Sequence, residues 1–587
     1  MPPLRCQRRP LPHSDFLGDH SAEGAERRLG APRRPDGGRM RTVRSARLCW
    51  GQHHHVLRYL CAPPASRHEA HITTSYPLPD GCAPAHVRAA LTHLVRRHEV
   101  LRTVYDLGAQ PWPRQLVQPP GPPTVVEVSV DDDPAAEVRR LTETPFALER
   151  EWPIRACLIT SGGQLRRLHL VFNHLAFDDV SLDQLADELG ALLAARVAGR
   201  PVALPPVEHQ PVDLAAHEAG PEAAARAEAS LAHWREQVRL LPSDVHAAHR
   251  DRNVRTAHSA SFTGPSLLAA ARAIAARHRV WPSAVHVAAF AVTLAAHTGQ
   301  RRVAHRLYTS QRDASGHPAV LTCMSHPMPC AVDLADDPPF GEVLRRAAAR
   351  VDEAMTHAHV PFDRIAELIA EEGARRGREV RVVSELNFLD NAPRSCRTRR
   401  DRLIWNAEPA DWARAGSDVY FRVYEWADGL TLALQALGEV MDRAAVERFL
   451  RGYAALLTAC AEPGADPRVS DAAASLGFPP PRTATTVSAA APVDRADPVA
   501  EPVAHPTAAE RALTEAVAHV NGLATVDPRV GYAAAGGRLL RLPRVVAALA
   551  DRGWEGVAER HLAGALPLRT AADLLRPCPP PSSGRAR

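Results

Sequence analysis

The sequence of 587 residues contains no lysine, and all 71 of its basic residues are arginine. A chain without lysine cannot form the Schiff base of a pyridoxal-phosphate enzyme, and it lacks the residue with which a P-loop reaches phosphates. Both classes are therefore excluded. An arginine-only composition with 52 prolines is typical of genomic bias and does not indicate a functional surface.

Paired cysteines and long apolar runs are also missing. The ten cysteines are scattered and form no C-x-x-C pair, which favours reduced thiols and predicts a cytoplasmic protein. No apolar run is long enough to span a membrane, and the first residues lack the apolar core of a secretory signal. We expect neither membrane insertion nor export.

Excess positive charge is confined to the beginning of the chain. Residues 1–47 hold eleven arginines against five acidic residues, which is +6, whereas the whole chain carries +5. The remainder therefore lies near −1 and offers no broad basic face for nucleic acid. The run His53–His55 could bind a metal, but no cysteine or carboxylate stands at zinc-like spacing, so a surface or packing role is expected.

Composition and periodicity divide the chain into six segments. Two stretches mix helical and strand patterns, and a third is helical throughout, whereas the rest is rich in Pro, Arg, Ala or Ser without periodicity. We predict a disordered head (1–40), two mixed halves (41–220 and 221–475), a linker (476–506), a small helical domain (507–577) and a tail (578–587).

The stretch Leu168–Ser181 is the best candidate for chemistry. It begins as an apolar, β-branched run typical of a buried strand, then breaks into a polar turn. Ser181 opens an amphipathic pattern, and with Gln184 three residues later it suits a capping box. This predicts a turn from strand to helix.

That turn carries Asn173, His174, Asp178 and Asp179. A histidine there can present its ring to a cleft, and an aspartate four residues later can fold back to anchor the loop. The spacing alone also fits a structural histidine, since the same pattern recurs within His359–Asp363. Both alternatives stay open on these residues.

Several stretches, in this order, resemble the condensation domain of nonribosomal peptide synthetases over roughly residues 43–475. The stretches Arg97–Thr103 and Val360–Asp363 are specific to the family, whereas the others gain weight from their order. The stretches are Ser45–Gln52, Arg97–Thr103, Val171–Ser181, Val212–Ala215, Leu321–Leu334 and Val360–Asp363.

The resemblance implies an α+β fold with two chloramphenicol-acetyltransferase-like halves in a V and a tunnel between them. It makes His174 the active-site histidine, which handles the proton of an acceptor amine. It also implies that Asp178 forms a salt bridge to Arg312 and maintains the loop's shape. His359 would belong to a structural motif.

The chain departs from the family pattern at four positions. Asn173 replaces the first of two histidines, and Asp179 replaces a glycine. In a later motif His326 stands where asparagine is usual and Ala331 where arginine is usual. A carboxylate at Asp179 would raise the pKa of the histidine if it faced the tunnel, and could crowd or attract a substrate.

The last helical segment resembles a peptidyl carrier domain, which would make it a small all-α carrier-like bundle. Its similar stretches are Pro506–Leu513, Tyr532–Leu540 and Pro567–Leu575. In carriers a serine follows the Gly-Gly pair and takes the phosphopantetheine arm, but Leu539 stands at that position and has no hydroxyl. We expect no covalently bound cofactor.

The resemblance predicts a free-standing enzyme that joins a carrier-bound aminoacyl or acyl thioester to an amine, or less readily a hydroxyl, in antibiotic-type peptide biosynthesis. No adenylation segment is visible, so we expect a separate carrier protein and adenylation enzyme, with a soluble or carrier-bound acceptor. The alternative is a catalytically silent scaffold that docks carriers. Epimerisation and cyclisation fit less well, because Asn173 replaces a histidine and a double-aspartate signature is missing.

Overall fold

The structure, a computed structural model, describes residues 42–162, 164–390, 395–398, 400–406, 417–478 and 505–578. The predicted head lies outside these residues, as do most of the predicted linker and all but the first residue of the predicted tail.

The first half packs helices against a four-stranded sheet and adds a small three-stranded sheet. The larger sheet has the order β2-β7-β6-β5 and the smaller one the order β1-β4-β3. The elements are β1 (Arg44–Arg47), α1 (His53–Cys61), β2 (His71–Pro77), α2 (Pro84–Arg97), β3 (Thr103–Asp106), β4 (Arg114–Val117), β5 (Val125–Ser129), α3 (Pro134–Glu143), β6 (Ile154–Ser161), β7 (Gln164–Asn173), α4 (Asp179–Val197) and α5 (Pro211–Glu218).

The second half is built on a seven-stranded mixed sheet of order β10-β9-β11-β13-β14-β8-β12, in which β11 runs parallel to β9 and β13. Its elements are α6 (Pro221–Arg239), β8 (Ala257–Gly264), α7 (Pro265–His278), α8 (Pro282–Thr298), β9 (Arg302–Ser310), α9 (Arg312–Ser315), β10 (Ser325–Asp333), α10 (Phe340–Thr356), α11 (Phe362–Arg375), β11 (Ser384–Asp390), β12 (Arg402–Trp405), β13 (Val419–Trp426), β14 (Gly429–Leu437), α12 (Arg443–Ala461) and α13 (Val469–Ser475).

Residues 505–578, hereafter the C-terminal unit, form short helices and a two-residue strand pair. The elements are α14 (Ala508–Asn521), α15 (Leu542–Asp551), β15 (Trp554–Glu555), α16 (Glu559–Leu562), α17 (Leu568–Ala572) and β16 (Arg576–Pro577). A single 3₁₀ turn, Leu539–Arg541, leads into α15.

Local sequence patterns explain the main elements. The second part of β7 is buried on both faces, because α2 and α4 cover one side and core side chains the other. In β13 the alternate residues Val419, Phe421 and Val423 are buried, while the residues between them lie on the opposite face. Helix α8 is buried almost all round, as a central core helix must be.

One local prediction was wrong. Asp178, and not Ser181, caps α4: its carboxylate accepts a hydrogen bond from the amide of Ser181 at 2.9 Å. The hydroxyl of Ser181 instead donates to the carbonyl oxygen of Thr322, 141 residues away. Both residue types are good caps, and a long-range contact decided between them.

No single helix in the described part of the chain is long and apolar enough to cross a membrane. Helices α7 and α8 reach the required length and composition only as a pair, and that pair is bent by 106°.

Candidate active site between the two halves

The turn between β7 and α4 holds His174 through its backbone. The amide of His174 donates to the carbonyl oxygen of Ala70 at 2.9 Å. The side chain of Asn173 accepts a hydrogen bond from the amide of Leu175 at 2.9 Å, which closes the turn from within. Asn173 therefore shapes the loop that presents the imidazole.

Asp178 ties the same loop to the second half. Its Oδ1 accepts from the guanidinium of Arg312 at 2.6 Å, and its Oδ2 accepts from the amide of Met324 at 3.0 Å. Both partners of the ion pair are buried, so this charge-assisted hydrogen bond is poorly screened. The structure thus brings Asp178 and Arg312 together beside the loop of His174.

Arg312 also organises the segment that precedes β10. It donates to the carbonyl oxygens of Pro318 at 2.8 Å, Val320 at 3.0 Å and Thr322 at 3.1 Å, and to the hydroxyl of Ser181 at 2.8 Å. These planar, directed donors suit a guanidinium better than any other side chain. One arginine therefore fixes the geometry on both sides of the junction.

The imidazole of His174 stacks on that of His55. The ring centroids lie 3.9 Å apart and the ring planes differ by 20°. Nδ1 of His174 has no hydrogen-bond partner among the described residues. His55 comes from α1, so the loop and this helix together set the orientation of the ring.

Burial lowers the pKa of His174 below its usual value, and the positive charge of Arg58 acts in the same direction. The nearby carboxylate of Asp179 opposes them and is the largest influence that raises this pKa. Asp179 is the first residue of α4. The lowered pKa favours the neutral imidazole, which can accept a proton.

All three residues of His53–His55 are buried, so a packing role fits them and a surface role does not. Nδ1 of His53 bonds Oδ1 of Asp363 at 2.8 Å, and the ring of His54 meets the ring of Phe362 edge-on at 4.8 Å. Burial lowers the pKa of His54 and His55 well below the usual range. The residues His53–His55 thus pack α1 between His174 and α11.

Gly51 allows the beginning of α1 to approach the second half. A β-carbon at this position would lie 2.4 Å from the carbonyl oxygen of Cys323 and 2.7 Å from Cα of Met324. Any side chain would therefore push α1 away from the segment that holds Asp178.

Three possible metal-ligating atoms, from His55, His174 and Cys323, lie within 4.8 Å of one another. The two imidazoles are nearly parallel, so their lone pairs point side by side and do not converge on one point. Burial also raises the pKa of the Cys323 thiol, which keeps it protonated. We assign no metal to this cluster.

A polar wall from the large sheet faces α1. The hydroxyl of Tyr308 donates to Glu385 at 3.1 Å, and Arg306 donates to the same carboxylate at 3.0 Å. The guanidinium of Arg422 lies 5.1 Å from the ring centroid of Tyr420. These polar side chains are therefore engaged with one another beside α1.

His326 and Ala331, the two residues that depart from the family pattern in the later motif, lie on β10. His326 is fully buried, which lowers its pKa to about 3, and its ring lies 5.7 Å from that of Phe362. Ala331 packs against the core. Both belong to the scaffold of the second half.

The model of the Condensation domain family matches residues 66–470. The chain belongs to this family. The match covers most of both halves and leaves out the C-terminal unit. The α+β architecture of the two halves agrees with that of solved condensation-domain structures.

Related condensation domains occur within nonribosomal peptide synthetases. Chondramide synthase cmdD from Chondromyces crocatus is 29% identical over 296 residues, which is 48% of this chain and 8% of that protein. Phosphinothricin tripeptide synthetase PhsC from Streptomyces viridochromogenes is 30% identical over 293 residues, which is 48% of this chain and 27% of that protein. The chain thus matches only a small part of each of these relatives.

Two solved structures share the fold. SgcC5 from Streptomyces globisporus has a TM-score of 0.57 at 23% identity, with 72% of this chain and all of that chain covered. The X-domain from teicoplanin biosynthesis has a TM-score of 0.57 at 24% identity, with 74% and 98% covered.

Sequence reasoning did not identify His55 or Gly51 as parts of this condensation domain's site. The available signal was their position at the first motif, where one residue separates Gly51 from three consecutive histidines. Contact with His174 across 119 positions of sequence could not be read from that spacing.

Proposed function

We propose that this condensation domain forms an amide bond between an aminoacyl or acyl thioester on a carrier protein and an amine acceptor, in the biosynthesis of an antibiotic-type peptide. One observation carries the proposal: the imidazole of His174 is held by a fixed loop at the junction of the two halves. A thioester is already activated, so the reaction needs mainly positioning and proton handling.

In the proposed reaction the amine nitrogen attacks the thioester carbonyl carbon. The new C–N bond forms as His174 accepts the amine proton, and the carbonyl oxygen becomes an oxyanion. The tetrahedral intermediate then collapses, the C–S bond breaks, and the departing sulfur of the carrier arm takes the proton from the imidazolium. Atoms and charges balance without a metal or a redox partner.

Asp178 and Arg312 act as positioning residues in this proposal. The carboxylate of Asp178 accepts hydrogen bonds from Arg312, Ser181 and Met324, so it is engaged in holding the loop. Asp179 tunes the imidazole, since its charge keeps the pKa of His174 from falling further.

The donor is proposed to arrive on the phosphopantetheine of a carrier outside these 587 residues, charged by an adenylation enzyme. The C-terminal unit is proposed to be a degenerate carrier domain. Its support is the Gly536-Gly537 pair before a 3₁₀ turn that leads into a helix, with Leu539 where a carrier has its serine. Leucine has no hydroxyl to accept a phosphodiester.

Mass spectrometry of a donor-loaded carrier incubated with candidate amines tests the function. We expect an amide product with the wild type and a rate at least a hundredfold lower with His174→Ala. The exposed His278 provides the matched control, and His278→Ala should react like the wild type.

Product formation at the uncatalysed rate, unchanged by His174→Ala, would contradict the enzyme and favour the silent scaffold. An ester product from a hydroxyl acceptor would keep the role of His174 but change the acceptor class.

A further inference from the structure

The C-terminal unit is packed against the condensation domain. Helix α16 and the turn Leu539–Arg541 contact α1, and the same turn contacts α11. Arg544 donates to the carbonyl oxygen of Pro111, in the loop between β3 and β4. The unit therefore touches both halves.

Arg538 is the centre of this contact. Its Nε donates to Oε1 of Glu367 at 3.1 Å, and its guanidinium nitrogen lies 3.6 Å from Oδ2 of Asp363. The same guanidinium lies 5.3 Å from the ring centroid of Trp112, in the first half. One side chain thus bridges α11 and the loop of the opposite half.

The backbone next to Arg538 is fixed to the same carboxylate. The amide of Leu539 donates to Oε1 of Glu367 at 3.0 Å, and both residues are almost fully buried. Arg541 adds a second guanidinium over Trp112, at 4.2 Å from the ring centroid. Side-chain, backbone and ring contacts therefore converge on one spot of the unit.

This spot is connected to the active site through α1. Asp363, which faces Arg538, also binds Nδ1 of His53. His53 and His55 belong to the same first turn of α1, and His55 stacks on His174. The position that a carrier would use for its pantetheine arm therefore lies against the helix that borders the catalytic imidazole.

We infer that α1, α11 and the loop of Trp112 form a carrier-docking surface, and that the C-terminal unit is its permanent occupant, clamped by Arg538. The inference rests on the proposed function. A unit that cannot bear a pantetheine arm delivers no substrate while it covers this surface. We assign the covered surface to the acceptor side, so that the acceptor amine reaches His174 as a free small molecule and only the donor comes on a carrier.

Charge reversal at the clamp tests the docking without any turnover. In Arg538→Glu, a carboxylate would face Glu367 and Asp363, so we expect hydrogen–deuterium exchange at α11 and around Trp112 to rise at least tenfold. Arg529→Glu is the matched control, because Arg529 is an exposed residue of the same unit whose ion pair is with the neighbouring Asp527. It should leave exchange at α11 unchanged.

Arg538→Gln removes the ion pair without repulsion and provides a second variant should charge reversal impair folding. It should also raise exchange at α11, by a smaller factor. Exchange at α11 and Trp112 that is the same in the wild type, Arg538→Glu and Arg538→Gln would overturn the clamp.

The acceptor is tested by offering one amine in two forms, free and as a pantetheine thioester on a carrier protein. We expect the wild type to consume the free amine at least tenfold faster, and Arg538→Glu to narrow that ratio. A wild type that uses the carrier-bound form as fast as the free amine would overturn the inference. A wild type that forms no product with either amine, but whose α11 remains protected from hydrogen–deuterium exchange, would instead refute the proposed function and leave the clamp intact.

Discussion

Asp178 and Arg312 form a buried ion pair across 134 positions of sequence, and this pair connects the loop of His174 to the second half. The carboxylate also caps α4 and binds the amide of Met324. The same side chain therefore ends a loop, begins a helix and joins two halves of the domain.

Asp178→Ala should destabilise the protein by about 3–5 kcal/mol, because it leaves the guanidinium of Arg312 buried without its counter-charge. Chemical denaturation followed by circular dichroism measures the loss. The exposed pair of Glu222 and Arg226 is the control, and Glu222→Ala should cost about 0.5 kcal/mol or less. Equal losses in the two variants would show that the ion pair does not hold the halves together.

Asp179→Asn should lower the pKa of His174, since it removes the charge that raises this pKa most. A histidine that acts as a base is active when neutral, so the acidic limb of the rate–pH profile should move to lower pH. Asp187, an exposed residue of the same helix, is the control, and Asp187→Asn should leave the limb in place. A limb that moves to higher pH in Asp179→Asn would contradict this assignment.

His55→Ala should reduce turnover about ten- to a hundredfold, because it removes the ring against which His174 is stacked. His55→Phe retains a flat ring of similar size and should recover most of the rate. Steady-state kinetics with a carrier-bound donor distinguishes the two variants. If both variants lose the same activity, the imidazole of His55 itself is required, and orientation by stacking is not its role.

Glu367 should make the protein less stable as the pH rises from about 4.5 to about 7. Burial raises the pKa of this carboxyl from its usual value of 4.5 to about 7, so the folded state keeps a proton that the unfolded chain releases. The linked loss of stability is about 3 kcal/mol across this window.

Denaturation midpoints at a series of pH values measure this dependence. Glu367→Gln cannot titrate and should give a flatter profile, whereas Glu371→Gln, at an exposed position of the same helix, should behave like the wild type. Identical slopes for the wild type and Glu367→Gln would exclude this carboxyl as the source.

Incubation with a phosphopantetheinyl transferase and coenzyme A should leave the mass of the protein unchanged, because Leu539 offers no hydroxyl. Leu539→Ser should also resist modification, since position 539 is buried against Glu367. Adding Arg538→Asp should release the unit and permit modification. A native protein that gains one pantetheine arm would show that the C-terminal unit is an active carrier with its serine elsewhere.

Local sequence patterns were sufficient to predict that helices and strands mix in both halves and that a strand turns into a helix at His174. The apolar run before Asn173 predicted β7, and the amphipathic pattern after Ser181 predicted α4. Strands such as β8 and β10 were not predicted, because small and polar residues interrupt their alternation and only neighbouring strands in the sheet stabilise them.

The sequence by itself determined the chemical identities on which the proposed function depends: an imidazole at His174, a carboxylate at Asp179 and a side chain without a hydroxyl at Leu539. Only the tertiary structure decided the cap of α4, the stacking of His55 on His174 and the clamp of Arg538 on Glu367. The physical reason is the distance along the sequence over which each kind of interaction acts. Helix and strand patterns repeat over a few residues, whereas contacts between residues more than a hundred positions apart depend on how whole elements pack.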